Sequence, residues 1–267
     1  MRSTPRRRQL LYLMRLEFKR YRRGRRLSGV FILAIAPLLI LALPALLSGN
    51  RPRHFPLPIG YTQFFQVLWL HLVIFFSCAT VFSQLFRSEL QEKTLHYYYM
   101  VPIRREMVVV AKYLSGLLLV STVFLSSSIA TYYLYFWPAP RGHNWSLTRV
   151  GTQHLGNYLF VVLLACIAYG ALFMLIGLTF RNPMIPAIFV LLLESFGYVL
   201  PPVFQRMTIA LYLQRFVPLT VVHGPFAIII EPPSALTSIG VLVVVSGAIV
   251  WFSTVILRRM QITYSVD

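Results

Sequence analysis

The most constraining feature of this chain is a series of apolar segments that are each long enough for a membrane-crossing helix. There are six of them, at residues of about 28–47, 64–86, 107–136, 157–180, 184–200 and 236–257. A helix needs about 20 mainly apolar residues to cross the ~30 Å hydrocarbon core of a bilayer. Backbone polar groups have to be satisfied internally in that core, which favours helices. The sequence therefore predicts an all-α integral membrane protein with six transmembrane helices.

The composition agrees with this prediction. Of the 267 residues, 57% are hydrophobic and only 12% are charged, whereas soluble domains average about 25% charged residues. The net charge of +18 would suggest nucleic acid as the partner of a soluble protein. In a membrane protein the same excess marks cytoplasmic loops and contact with anionic lipid head groups. We therefore expect anionic lipids, and no nucleic acid, among the partners.

The distribution of Lys and Arg predicts the orientation in the membrane. If both termini are cytoplasmic, the inside segments hold 19 Lys and Arg residues and the outside loops hold six. Basic residues concentrate on the cytoplasmic side of membrane proteins. We therefore expect three parts: residues 1–27 as an amphipathic cytoplasmic interfacial helix, residues 28–257 as the six-span domain, and residues 258–267 as a cytoplasmic tail.

The N-terminal segment has the pattern of an amphipathic helix that lies on a membrane. Its apolar face holds Leu10, Leu13, Met14, Phe18 and Tyr21, and its basic face holds Arg15, Lys19, Arg22 and Arg23. Such a helix places its apolar face at the acyl boundary and its basic face toward phosphates. Glu17 points toward the apolar face, where an unpaired carboxylate is costly. We expect a salt bridge to a nearby Arg, with contact to a partner as the alternative.

The polar stretch Arg87–Lys112 lies between the second and third spans and is predicted to be cytoplasmic. From Leu90 to Val101 a helical wheel separates two groups of side chains. Leu90, Thr94, Tyr97, Tyr98 and Val101 share one face, and Glu92, Lys93 and His96 point away from it. Pro102 disfavours helix in the residue before it. The pattern predicts one short amphipathic helix, which either inserts its tyrosines into a partner groove or lies on lipid.

Residues 203–233 are ambiguous, because their apolar patches are broken by Arg, Pro, His and Gly. Each patch is too short to span a bilayer. Short re-entrant or interfacial helices between the fifth and sixth spans are the predicted structure.

Few residues carry recognisable chemistry. The sequence lacks the zinc motif HExxH, the CxxC pair and a Gly-rich phosphate loop. His71 has no companion histidine within a span, so we interpret it as an interfacial or hydrogen-bonded residue rather than a ligand. Glu194 lies mid-span, where a lone carboxylate is expensive. It is either protonated or hydrogen-bonded to a neighbouring helix, or part of a translocation path or an opening switch. We expect no metal, no cofactor and no catalytic residue in this chain.

This organisation resembles the permease subunit of the type-two ABC exporter superfamily. The basic N-terminal segment RLEFKRYRRGRRLSG stands where the family has an elbow helix with an acid followed by basic residues. After the second span the family has an acid-rich turn, Gly-Thr-Leu, a short helix, Pro-x-x-Arg, and a Lys that opens the third span. The matching residues here are Glu89, Glu92, Thr94, Leu95, Pro102, Arg105 and Lys112. Lys93 replaces the usual glycine, and Tyr97-Tyr98-Tyr99 replaces a Leu-rich run.

The resemblance implies an ATP-driven exporter in the cytoplasmic (inner) membrane. Leu90–Val101 would be a coupling helix that docks into a separate ABC ATP-binding subunit, which binds ATP and Mg²⁺. The residues in contact with that subunit would be Glu89, Glu92, Thr94, Leu95, Tyr97, Tyr98, Pro102 and Arg105. Two permeases, forming a homodimer or a heterodimer, would work with two ATP-binding subunits, and the pathway would lie at the permease interface. Glu194 would belong to this pathway or to a switch.

Two other functions fit the sequence. One is a membrane anchor or assembly subunit of a larger complex without transport, since a permease fold can be retained when transport is lost. The other is an integral membrane redox or lipid enzyme subunit, which the missing ionisable cluster disfavours. For a transporter, the aromatic and apolar interior suits a lipid-like or amphipathic substrate better than a small ion.

Overall fold

The computed structural model describes residues 6–23, 26–47, 57–91, 105–136, 148–219 and 231–259, and regular structure within these ranges is helical. The α-helices are α1 (Arg6–Arg23), α2 (Arg26–Leu47), α3 (Leu57–Phe64), α4 (Phe75–Gln91), α5 (Arg105–Phe136), α6 (Arg149–Thr179), α7 (Met184–Ser195), α8 (Pro202–Gln205), α9 (Ile209–Gln214) and α10 (Ala235–Arg259). A π-helical segment, Phe65–Ile74, joins α3 to α4, and a 3₁₀ turn, Gly197–Val199, follows α7.

Four of the six predicted spans are confirmed as helices that are long and apolar enough to cross a membrane. They are Pro58–Phe86, Glu106–Phe136, Arg149–Thr179 and Ala235–Arg259. The predicted first span corresponds to α2 (Arg26–Leu47), in which Gly29–Leu43 is a described apolar stretch, and the predicted fifth span corresponds to the shorter apolar helix Met184–Ser195. Within the part of the chain described, the protein is therefore an all-helical membrane protein with four candidate spans, and six spans are not confirmed.

The fifth predicted span ends five residues early. α7 has 12 residues, which corresponds to about 18 Å at 1.5 Å per residue, well short of the hydrocarbon core. Gly197 approaches Thr208 so closely that an added Cβ would lie 3.3 Å from the threonine methyl group. The chain then reaches Pro201 and Pro202, which cannot continue a helix. The short helices α8 and α9 follow, in agreement with the predicted short helices, and residues 220–230 lie outside the described ranges.

Two spans begin earlier than predicted. The fourth starts at Arg149 instead of Asn157, because Thr148 caps the helix and its Oγ1 accepts a hydrogen bond from the Gly151 N–H at 3.1 Å. A threonine in this position satisfies one of the free N–H groups of the first turn. The second starts at Leu57 instead of Phe64, with Pro58 in the first turn, where proline is tolerated because its missing N–H is not needed.

The core forms where α4 packs against α6 and α5. Phe82 is fully buried, and its ring contacts the positions where Gly116 and Gly170 lack a side chain. At Gly177 an added Cβ would overlap the backbone of Ser83. Glycine at these positions allows the helices to approach closely, as small residues do between membrane helices. α4, α5 and α6 therefore form the packed centre of the bundle.

A cluster of tyrosines joins α3 to α5 and α6, near the C-terminal end of α5. The ring of Tyr61 contacts Tyr132 and Tyr158 edge to face, with centroids 5.2 and 5.0 Å away. The hydroxyl groups of Thr62 and Tyr158 are 2.7 Å apart, and the Tyr132 hydroxyl donates to the Gly151 carbonyl at 2.8 Å. Edge-to-face pairs add to the stability gained from burial. This cluster fixes α3, α5 and α6 relative to one another.

Candidate functional site

The predicted partner-contact residues lie mostly outside the described ranges. Glu92, Thr94, Leu95, Tyr97, Tyr98 and Pro102 belong to residues 92–104, which join α4 to α5 and are not described. Glu89 lies in the last turn of α4, and Arg105 is the first residue of α5. Leu90, predicted to begin a separate surface helix, belongs to α4. The coupling helix therefore stays a prediction, whereas the two helices beside it, α4 and α5, are described. We call this region the α4–α5 end.

A buried ion pair lies at the α4–α5 end. The ammonium group of Lys112, on α5, donates to Oε1 of Glu17, on α1, at 2.8 Å. The exposed fractions of the two residues are 1% for Lys112 and 6% for Glu17. Charges that are withdrawn from water are stable only when they are paired and hydrogen-bonded. The pair therefore holds α1 against α5.

The same ammonium group also contacts α4. Lys112 Nζ lies 3.3 Å from the carbonyl oxygen of Leu85 and 5.4 Å from the centroid of the Phe86 ring. A cation over an aromatic face within about 6 Å is attracted by the ring quadrupole. Lys112 thus connects α1, α4 and α5 through one charged group, close to the two helix ends that residues 92–104 join.

The salt bridge predicted for Glu17 is present. The partner that the structure describes is Lys112, 95 residues away, which the sequence analysis did not name as its partner. The cause is the packing of α1: Leu13 and Glu17 are buried one helical turn apart, while Leu11 and Leu16 are exposed. The side of α1 that carries the acid therefore faces the protein.

A second ion pair at the same end is exposed. Arg258, in the last turn of α10, pairs with Glu106, in the first turn of α5. The exposed fractions of their side chains are 56% and 41%. Exposed ion pairs contribute little to stability because water and salt screen them. The pair nevertheless places the end of α10 beside the start of α5.

Glu194 is also a buried carboxylate. In contrast to Glu17, it has no lysine or arginine among its described contacts. Its Oε1 and Oε2 accept hydrogen bonds from the backbone N–H groups of Ile209 and Ala210, at 2.7 and 2.9 Å. These two groups are the first N–H groups of α9, which have no partner within that helix. Glu194, in the last turn of α7, therefore caps α9. This agrees with the predicted hydrogen bond to a neighbouring helix.

Two further polar side chains surround the Glu194 carboxylate. His71 and Tyr169 lie close enough to interact with it electrostatically. The hydroxyl of Tyr169 is fully buried, and the Glu194 carboxylate is a polar neighbour of it. The Nδ1 atom of His71 is 2.7 Å from the Gln66 carbonyl oxygen, which confirms the interpretation of His71 as a hydrogen-bonded residue. Glu194 is thus the centre of a small polar cluster contributed by four elements.

The position of His71 follows from the π-helical segment. A carbonyl oxygen can only accept, so Nδ1 of His71 carries the hydrogen in its contact with Gln66, five residues earlier. π-helical segments are rare in proteins, and those that occur are often found at functional sites. His71 lies within the ten-residue segment Phe65–Ile74, so the wider helix determines the direction of its side chain.

The sequence did not indicate the hydrogen-bond partners of Glu17 or of Glu194. Lys112 was identified only through a family motif, and Ile209 and Ala210 were not identified, because backbone N–H groups leave no signature in a sequence. Within the described residues, no group of three or more His, Cys, Asp or Glu side chains comes together that could hold a metal ion.

The family described as "ABC-2 family transporter protein" matches residues 13–197, a range that contains Glu17, Lys112 and Glu194. No curated protein and no solved structure matches the chain. The family match confirms the resemblance to type-two ABC permeases. Since the matched range covers well over half of the sequence, the chain belongs to the ABC-2 family of transporter permeases.

Proposed function

We propose that this chain is the permease subunit of an ATP-driven exporter, in which a separate ABC ATP-binding subunit drives substrate movement. Its membership of the ABC-2 family and its apolar helices make it an integral membrane transport protein. ATP coupling, the direction of transport and the partners are the proposed part. Hydrolysis would take place in the partner, and this chain would convert the partner's motion into movement of helices.

The observation that carries the coupling proposal is the connection between the ends of α4 and α5. Residues 92–104 join two helices that are linked through Lys112 and the Leu85 carbonyl. A partner that binds this segment would act on both helices together. Tyr97 and Tyr98 are the residues proposed to contribute most to that binding. Coupling between two sites needs an element that differs between two states. The linked ends of α4 and α5 are the proposed element.

The remaining parts of the proposal follow from the family pattern. Two permeases would combine with two ATP-binding subunits, with both termini cytoplasmic and anionic lipids against the basic N-terminal segment. The apolar and aromatic interior supports a lipid-like or amphipathic substrate. Accessibility of single cysteines introduced near Arg258, on the α10 end, to a membrane-impermeant reagent in sealed vesicles tests the orientation.

For Glu194 we propose the switch and not the path. Both carboxylate oxygens bind the N-terminus of α9, so the described contacts of the side chain join two short helices. The contact connects the short helix α7 to the segment that follows it. Releasing the cap would free α9 while leaving the packed centre of α4, α5 and α6 intact.

The experiment that tests coupling is reconstitution of the full chain with the ATP-binding subunit in lipid nanodiscs. We expect the two to co-purify and the ATPase rate to rise on assembly. Tyr97→Ala/Tyr98→Ala should lower that stimulation at least ten-fold, because large aromatic rings dominate interface energetics. Tyr133→Ala is the matched control, since Tyr133 is an exposed tyrosine near the other end of α5, and it should leave stimulation unchanged.

Four outcomes would contradict the proposal. If no ATP-binding subunit accompanies the chain, or if the double variant stimulates like the wild type, coupling through this segment is wrong. If the assembled complex hydrolyses ATP but moves no amphipathic substrate across vesicles, the chain is an anchor or assembly subunit. A Soret band in the absorption spectrum of the purified protein would instead indicate a redox subunit.

A further inference from the structure

We propose that Glu17 and Lys112 are positioning residues that make α1 move as one unit with the ends of α4 and α5. The inference rests on the proposed function, because it adds α1 to the element that receives the partner's motion. It assigns a role to a helix that would otherwise be only an anchor on the membrane surface.

The first argument is connectivity. One ammonium group binds the Glu17 carboxylate of α1, the Leu85 carbonyl of α4, and lies over the Phe86 ring. Lys112 lies seven residues after the first residue of α5, and Leu85 lies six residues before the last residue of α4. The three-helix junction is therefore about two helical turns from both ends of the segment 92–104. A displacement of that segment reaches the junction before it reaches the middle of the bundle.

The second argument is burial. The Glu17–Lys112 pair is almost completely withdrawn from solvent, whereas the Glu106–Arg258 pair at the same end is about half exposed. A buried charge cannot exchange its partner for water without a large penalty. The buried pair therefore stays closed while helices move, and the exposed pair can open at little cost.

The third argument is the direction in which motion would continue. α1 packs mainly against α5, and only residues 24–25 separate it from α2. If α1 follows α5, it carries the start of α2 with it. The hydroxyl of Ser127, on α5, also donates to the Ala34 carbonyl of α2. The pair thus provides a route by which a partner that binds between the second and third spans also moves the first apolar helix.

The experiment uses the complex of the full chain with its ATP-binding subunit in nanodiscs, with Mg²⁺ and ATP as the ligand. Glu17→Gln removes the charge and keeps the shape, so ATPase stimulation, measured per assembled complex, should fall about ten-fold. The exchange Glu17→Lys/Lys112→Glu restores an ion pair and should recover more than half of the stimulation. Glu106→Gln, in the exposed pair, is the matched control and should change stimulation less than two-fold.

A second measurement does not depend on the partner. Spin labels at Leu16→Cys on α1 and Leu118→Cys on α5, both exposed positions, report the distance between the two helices in the chain alone, with Cys78 and Cys166 replaced by alanine. We expect a narrow distribution that broadens in Glu17→Gln and narrows again in the charge exchange. Glu106→Gln should leave it narrow.

The two measurements separate the failure of this inference from the failure of the proposed function. If the wild-type chain binds no ATP-binding subunit but the distances change as expected, the proposed function is wrong and the pair still positions α1. An unchanged distance distribution in Glu17→Gln would overturn the positioning role. Wild-type stimulation in a folded, assembled Glu17→Gln complex would overturn it as well.

Discussion

Glu17 and Glu194 are both buried carboxylates, and they are stabilised in opposite ways. Glu17 binds the side-chain cation of Lys112, 95 residues away in the sequence. Glu194 binds two backbone N–H groups, 15 and 16 residues away. The first contact joins separate helices of the bundle through two charges. The second joins consecutive short elements through one charge and a helix terminus.

The difference concerns what is left when each contact opens. An opened Glu17–Lys112 pair would leave two charges in a dry site, which is strongly unfavourable. An opened Glu194 cap would leave one carboxylate and the first N–H groups of a six-residue helix. Opening the ion pair therefore leaves two charges without partners, whereas opening the cap leaves one.

The largest effect is expected for Lys112→Met. The variant leaves the Glu17 carboxylate buried without its cation, which should lower the free energy of unfolding by about 3–5 kcal/mol. Unfolding in mixed micelles, followed by circular dichroism, measures it.

The control for this variant replaces both partners. Glu17→Leu/Lys112→Met fills the site with apolar side chains and should recover most of the lost stability, because replacing a buried pair as a whole is often neutral. Equal destabilisation of the single and double variants would show that the charge pair is not the cause.

An intermediate effect is expected for Glu194→Ala. Loss of a capping side chain costs about 1–2 kcal/mol, and the cost should appear locally as faster hydrogen exchange at Ile209 and Ala210. Thr148→Ala removes a neutral cap from α6 and should speed exchange only around Gly151. Unchanged exchange at the start of α9 in Glu194→Ala would contradict the capping role.

The smallest effect is expected for Glu106→Gln. Its partner Arg258 is exposed, so the variant should cost less than about 1 kcal/mol. Raising the salt concentration to 1 M, where the Debye length is ~3 Å, should erase the difference from the wild type. A loss as large as that of Lys112→Met would mean that exposure does not distinguish the two pairs.

The sequence was most informative where the pattern is local and repeated. Runs of apolar residues predicted four spans that the structure confirms, because the length and polarity of a helix are properties of consecutive residues. The lack of a second histidine within the predicted spans likewise led to the interpretation of His71 as a hydrogen-bonded residue, which the structure confirms. The family was recognised from motifs around Glu17 and Lys112 before any packing was known.

The parts that could not be predicted depend on contacts between distant residues. The partner of Glu17 was sought among nearby arginines, since no pattern in the sequence indicates which face of α1 meets α5. The fifth span was predicted to reach Leu200, but α7 ends at Ser195. The sequence could not show this end, because the packing of Gly197 against Thr208 and the cap by Glu194 are visible only in three dimensions. The start of α6 was a different case: Thr148 is a local cap signal that the apolar pattern obscured.

The contact between Gly177 and Ser83 limits how this protein can change shape. A helix pair without clearance between its backbones cannot rotate about its own axes or slide by a turn, because any side chain swung into the gap would collide. We therefore expect α4 and α6 to move as a single rigid body. In the proposed transport cycle the hinges would then lie outside this pair, for example in the segment after Thr179.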